Sequence, residues 1–182
     1  MSAQPDTYKI SILGSGGVGK TCIVLRLTRA KFDSEYVPTI QDFFEKNLII
    51  DGQTYNLTII DTAGQEEMQQ ITDMAIKDAQ AFVIVYSVKS VVSFQETEKY
   101  YNKVKQAMPN PKIVLCGNMC DVSSDERGVT PSQGIALAEK WDCPFFETSA
   151  KDDINVTQAF ETALKLILPK AEKTSEGCCR LA

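Results

Sequence analysis

No apolar run in the sequence approaches the roughly 20 residues that a membrane-spanning helix needs, so any membrane contact must come from an anchor. Basic charge is not in excess either: 24 acidic against 19 basic residues leave a net charge of -5. That balance argues against a surface that neutralises nucleic-acid phosphates, and nucleic acid is not expected as a partner. A small acidic ligand stays compatible with it if positive charge is focused locally. There is no internal repeat and no low-complexity segment, and no signal-peptide pattern opens the chain. Six cysteines could in number form three disulfides, yet Cys22, Cys116, Cys120 and Cys143 sit inside apolar or helical patterns. Reduced thiols in an intracellular compartment are the expectation.

The 182 residues, 43% of them hydrophobic, suit one domain with a sizeable core. Short β-rich runs recur: "YKISIL" (8–13), "FFEKNLII" (43–50), "YNLTII" (55–60), "AFVIVYS" (81–87), "KIVLCG" (112–117) and "PFFETS" (144–149). Several are apolar nearly throughout, as strands buried on both faces of a parallel sheet are. Asp51-Gly52 between the second and third runs is a hairpin signal, so that pair should be antiparallel. Helical patterns fill the gaps. Ser93 with Glu96 reads as a capping box, followed by a face of Phe94, Thr97, Tyr101, Val104 and Met108. Thr130, Pro131 and Gln133 supply a cap, a first-turn proline and a capping-box partner ahead of Leu137, Ala138 and Trp141. A last stripe, Val156, Phe160, Leu164 and Ile167, ends before Pro169. The alternation predicts a three-layer α/β domain over 1–169, with ligands at the carboxyl ends of its strands, and a flexible tail over 170–182.

"GSGGVGKT", Gly14, Ser15, Gly16, Gly17, Val18, Gly19, Lys20 and Thr21, matches G-x-x-x-x-G-K-[ST] between the first strand and a helical pattern. Glycines let a backbone wrap a polyphosphate with its N–H groups aimed inward, and the following helix N-terminus adds partial positive charge, with Cys22 in its first turn. Lys20 would hold the terminal phosphates, and the Thr21 hydroxyl would ligate Mg²⁺. Further along stand "YVPTIQDFF" (36–44), "DTAGQEE" (61–67), "GNMCD" (117–121) and "TSAK" (148–151).

With these motifs in this order the sequence resembles the Ras family of small GTPases, over nearly its whole length. The resemblance implies a P-loop NTPase fold: a six-stranded, mostly parallel sheet with one antiparallel edge strand and about five helices. It implies GTP and GDP as ligands, Mg²⁺ as cofactor, and slow hydrolysis of GTP in a molecular switch of signal transduction. In that reading Asp61 reaches Mg²⁺ through water, Gly64 offers its N–H to the terminal phosphate, and Gln65 orients the attacking water. Thr39 adds a metal ligand when a third phosphate is present. Tyr36, Val37, Pro38, Thr39, Ile40, Gln41, Asp42, Phe43 and Phe44 form the effector region. Val37, Gln41, Phe43 and Phe44 depart from the commonest pattern there and make it less acidic, which puts the usual basic partner domains in doubt. The strand that follows should be an edge, with one of Phe43 and Phe44 facing out.

Asn118 and Asp121 match the family's guanine motif N-K-x-D. A carboxylate accepts together from guanine N1–H and the exocyclic amine, a donor pair that adenine lacks. Ser149, Ala150 and Lys151 match the remaining base loop, and Phe32 the aromatic packed on the base. Met119 stands where the family has lysine. A thioether chain can cover the base and sugar, but it cannot anchor the glycine loop and ribose as an ammonium does. It could also simply pack beneath the loop. Guanine selectivity should survive, with nucleotide held less tightly.

Cys179-Arg180-Leu181-Ala182 has the form C-a-a-X, although Arg180 is not aliphatic. Lipidation of Cys179, with palmitoylation of Cys178 as second anchor, would place the protein on the cytoplasmic face of a membrane, the plasma membrane in the family's pattern. No arginine in the motifs is placed to stabilise the transition state, so a GTPase-activating protein should supply one in trans. A guanine-nucleotide exchange factor and effector proteins are the other implied partners, and the chain itself is expected to be a monomer. Two rivals share the glycine loop: a GTP-bound scaffold with negligible turnover, against which Gln65 speaks, and an ATP-dependent kinase, against which Asp121 and "TSAK" speak. Cys120, beside the base motif, is open to two readings, a redox-sensitive thiol or a buried inert one.

Overall fold

A computed structural model describes residues 7–32, 39–62 and 69–169. Its strands are β1 (Thr7–Leu13), β2 (Gln41–Ile50), β3 (Gln53–Thr62), β4 (Ala81–Ser87), β5 (Ile113–Asn118) and β6 (Phe145–Thr148). Its helices are α1 (Lys20–Arg29), α2 (Gln69–Asp78), α3 (Val91–Ala107), α4 (Pro131–Trp141) and α5 (Val156–Lys165). The strands form one sheet in the order β2-β3-β1-β4-β5-β6, antiparallel only between β2 and β3.

Apolar runs become central strands because both faces of the sheet are covered. Along β4, Val83 and Val85 point to one core and Phe82, Ile84 and Tyr86 to the other, all fully buried. The first core is closed by α1 and α5, through Ile23, Val24, Leu27, Phe160 and Leu164. The second is closed by α2, α3 and α4, through Ile76, Val104, Ala138 and Trp141. Burying a side chain such as Phe160 contributes about 2 to 3 kcal/mol, so each layer is held mainly by these faces. Three layers result, as the alternating pattern predicts.

The β2–β3 connection is a two-residue turn with both residues at positive φ, Asp51 at 51° and Gly52 at 79°. That geometry matches the twist of paired strands and explains the Asp-Gly sequence. The strands run two residues further at the sheet end than the apolar pattern shows, with Gln41 paired to Thr62. Because β2 runs opposite to its neighbours, its start lies beside the carboxyl end of β3. Thr39, just before β2, is thereby brought to the end of the sheet where β1, β5 and β6 also deliver their loops.

One helix start differs from the sequence reading. The cap of α3 is Ser90, whose side chain accepts from the backbone N–H of Ser93, and not Ser93 itself. Ser93 is buried inside the first turn, where its hydroxyl bonds the carbonyls of Ser90 and Ser87. Glu96 consequently makes no capping box and turns toward the loop after β1, accepting from the Ser15 hydroxyl. At α4 the capping box of Thr130 and Gln133, with Pro131 in the first turn, forms as read.

Candidate nucleotide-binding site

Residues 14–19 join β1 to α1 and turn into the helix on Gly19, which caps it at φ 88°. A side chain there would occupy a left-handed backbone, at about 1 to 2 kcal/mol, and its Cβ would collide with the Asn118 amide. The helix has no acidic residue of its own in the first turn, and such an N-terminus favours an anion. Lys20 is buried, and its ammonium donates to the carbonyls of Gly14 (2.7 Å) and Ser15 (2.9 Å). Burial pulls its pKa down to about 8, against the opposing pull of Asp61. The loop thus offers a cation of weakened hydration at its centre, ready to exchange carbonyl partners for phosphate oxygens.

Beside Lys20 three oxygen-bearing side chains from distant segments meet. The Thr21 hydroxyl donates to Asp61 Oδ2 at 2.6 Å and lies 2.9 Å from the Thr39 hydroxyl. Thr21 has one proton and gives it to Asp61, so Thr39 is the donor in the second bond. Asp61 is fully buried, and its Oδ1 has no hydrogen-bond partner among the described residues. Burial raises its pKa, partly offset by the Thr21 bond and Lys20, and Asp42 raises it further. A buried carboxylate with an unpaired oxygen, next to two hydroxyls, suits a hard divalent cation such as Mg²⁺, which takes one or two protein oxygens and fills the rest of its shell with phosphate and water. No cluster of three or more acidic, cysteine or histidine ligands exists among the described residues.

The base end is assembled from β5, β6 and α1. Asp121 takes the Ser149 hydroxyl on Oδ1 at 2.7 Å, and Lys151 stands 3.8 Å from its Oδ2. Ser149 Oγ accepts in turn from the N–H of Asp152 at 3.0 Å, which fixes the hydroxyl's direction. Asn118 is buried and does not face an open surface. Its amide donates to the Val18 carbonyl at 2.8 Å and its oxygen accepts from Thr148 at 3.2 Å, so it ties the glycine loop to β6. Met119 is held at φ 66°. Its sulfur accepts from the Ser87 hydroxyl at 3.3 Å, and its methyl lies 3.6 Å from where a Cβ on Gly19 would sit. The thioether methyl thus lies near the glycine loop, with its sulfur anchored on the end of β4. Phe32, just past α1, is 42% exposed.

Arg26 was not legible as a site residue. From the second half of α1 its guanidinium donates to the carbonyls of Ala150 (2.6 Å), Lys151 (2.8 Å) and Ala30 (3.2 Å). One rigid helix thus carries Lys20 and Thr21 at its start and clamps the base loop further along. No motif marks an arginine at that spacing. Cys120 is partly exposed, but burial, Glu147 and Asp121 all raise its pKa, which favours the inert reading of this thiol. The described cysteines are thiols and form no disulfide.

In the proposed effector strand, Phe43 is 60% exposed while Phe44 packs into the first core beneath the Arg29 guanidinium. Ile40 is exposed beside it, and β2 is an edge strand. Tyr36, Val37 and Pro38, Gly64 and Gln65, and Cys178 and Cys179 lie outside the described residues. Residues 9–169 match the model of the Ras family. With a match over most of its length, a sheet of the P-loop type and a glycine loop, cation corner and base loop on one sheet end, the chain belongs to the Ras family of small GTPases.

Proposed function

We propose that this GTPase is a signalling switch, binding GTP with Mg²⁺, hydrolysing it slowly to GDP, and presenting different surfaces in the two states. The observation that carries the reading is the hydroxyl chain Thr39, Thr21, Asp61. It ties the segment ahead of β2 to the glycine loop and to the end of β3, where loss of a terminal phosphate would be felt at once. Releasing Thr39 would loosen that segment, a change partners can read.

In this mechanism Lys20 and the backbone of residues 14–21 hold the phosphates, Gly64 donates to the terminal one, and Gln65 orients water for in-line attack. Thr21, Thr39 and Asp61 would hold Mg²⁺, which would supply positive charge against the negative charge that builds on the phosphates. Asp121 and Asn118, with Ser149, Ala150, Lys151, Met119 and Phe32, select and cover guanine. An activating protein supplies an arginine, an exchange factor opens the site, and effectors read residues 36–44 along the β2 edge, where Phe43 and Ile40 favour an apolar contact over a purely basic one. Lipidation at Cys179 and Cys178 holds the monomer at the cytoplasmic face of the plasma membrane.

Heating the purified protein should release GDP or GTP, and single-turnover phosphate release from GTP should be slow and slower still in Gln65→Ala. Release of an adenine nucleotide would overturn the reading, and GTP retained without turnover would reduce it to a scaffold. Mass spectrometry of the native protein should show a lipidated tail; an unmodified tail ending at Ala182 would remove the membrane part.

A further inference from the structure

The Ser15 hydroxyl lies in the glycine loop, where a phosphate contact would be its simplest use. It is instead committed to Glu96, which is 81 residues away in sequence, on the second turn of α3. Ser15 is itself buried, and the peptide that follows it is held from the other side: its carbonyl accepts from Lys20 Nζ at 2.9 Å. A peptide unit is planar, so fixing the Ser15 side chain and carbonyl also fixes the direction of the Gly16 N–H, which belongs to the same plane. Glu96 is available for this because Ser90, and not Ser93, caps the helix. The helix start that carries Glu96 is tied to the end of β4 through Ser93 and Ser87, so the carboxylate is delivered from a rigid element.

We propose that Glu96 is a positioning residue for phosphate binding, acting through Ser15 on Lys20 and on the first N–H groups of the loop. This rests on the GTPase reading above. Its physical content is sharp because simple electrostatics predicts the opposite sign. A carboxylate close to bound phosphates repels them, so if charge alone mattered, removing it would tighten nucleotide binding. If positioning dominates, removal loosens it, and a neutral acceptor of the same shape restores it, since a glutamine oxygen takes the Ser15 proton equally well.

The test is dissociation of fluorescently labelled GDP, with Mg²⁺ present, from the parent protein and from Ser15→Ala, Glu96→Ala, Glu96→Gln and the double alanine variant. Loss of one charge-assisted bond at a partly exposed site should speed release about three- to tenfold in each single alanine variant. The double variant should match the singles, because each breaks the Ser15–Glu96 bond, and the exposed Lys99–Glu96 pair at 3.4 Å that Glu96→Ala also removes contributes little. Glu96→Gln should stay within about twofold of the parent. Thermal unfolding of the same proteins separates this from a merely structural role, which would lower the melting temperature without touching the off-rate. Slower release from both Glu96 variants, an unchanged rate in Glu96→Ala, or additive effects in the double variant would overturn the proposal. A parent protein that retains no guanine nucleotide would instead overturn the GTPase reading, and this inference with it.

Discussion

At the phosphate end, residues 14–21 form one uninterrupted stretch whose function lies in its backbone: a left-handed Gly19, a helix N-terminus and carbonyls that cradle Lys20. At the base end, residues 118–121, residues 149–151 and Arg26 come from three separate elements, and Arg26 and Ala150 alone are 124 residues apart. There the shape is kept by side-chain hydrogen bonds: Asn118 to Val18, Ser149 to Asp121, Arg26 to Ala150 and Lys151. A contiguous loop is set first by its own backbone geometry, with Asn118 and Glu96 bracing it from outside, so loss of a backbone feature such as left-handed Gly19 should cost far more than loss of a brace. An assembled loop can be weakened one bond at a time, which makes it the natural place for tuning how long nucleotide stays.

The comparison breaks most openly at Asp121. Asp121→Ala removes the paired acceptor and should lower the preference for GDP over ADP by about a thousandfold, while the glycine loop continues to bind phosphate. Competition binding of the two diphosphates measures this, and a variant that keeps its guanine preference would move recognition to the backbone of residues 149–151. Met119 comes next, because it is the joint between the two ends. Met119→Lys adds a charge-assisted bond where the thioether offers the glycine loop no donor, its sulfur accepting from Ser87, and GDP release should slow by about ten- to a hundredfold. Equal off-rates would show that Met119 packs beneath the loop without bearing on retention.

A pH series sharpens the contrast from the phosphate side. Burial pulls the Lys20 pKa down to about 8, and phosphate binds its protonated form. As pH rises through 8 the unliganded protein loses that proton, so nucleotide affinity in magnesium-free buffer should fall about tenfold between pH 7 and pH 9. The sequence holds no histidine that could titrate in that range, and Lys20→Arg, always charged, should flatten the dependence if it still binds. The smallest effect is expected at Arg26. Arg26→Ala leaves the base loop in place through Ser149 and Asn118 and should speed GDP release about fivefold, with the phosphate contacts intact. A loss of binding as large as that in Asp121→Ala would mean that the base loop has no other support.

Much of the molecule is legible in the residues themselves. The glycine loop, the Asp51-Gly52 turn, the α4 capping box and the strand-helix alternation all depend on neighbours within a few positions, and each forms as read. At α3, Ser90 and Ser93 are both acceptable caps on local grounds. What separates them is that Ser93 meets Ser87 at the end of β4. The same kind of distant contact gives Asn118 the further role of a brace for the glycine loop, and ties Arg26 and Glu96 to the site through partners far from them in sequence.

The sequence by itself determined the family, the order of the elements and local features such as the Asp51-Gly52 turn and the α4 capping box, because backbone geometry, caps and hydrophobic period act over short stretches of chain. Only the tertiary structure decided which partner each buried polar group takes. A hydroxyl or carboxylate removed from water must find a hydrogen bond, and the nearest candidates in space belong to strands and helices that the order of residues does not place side by side.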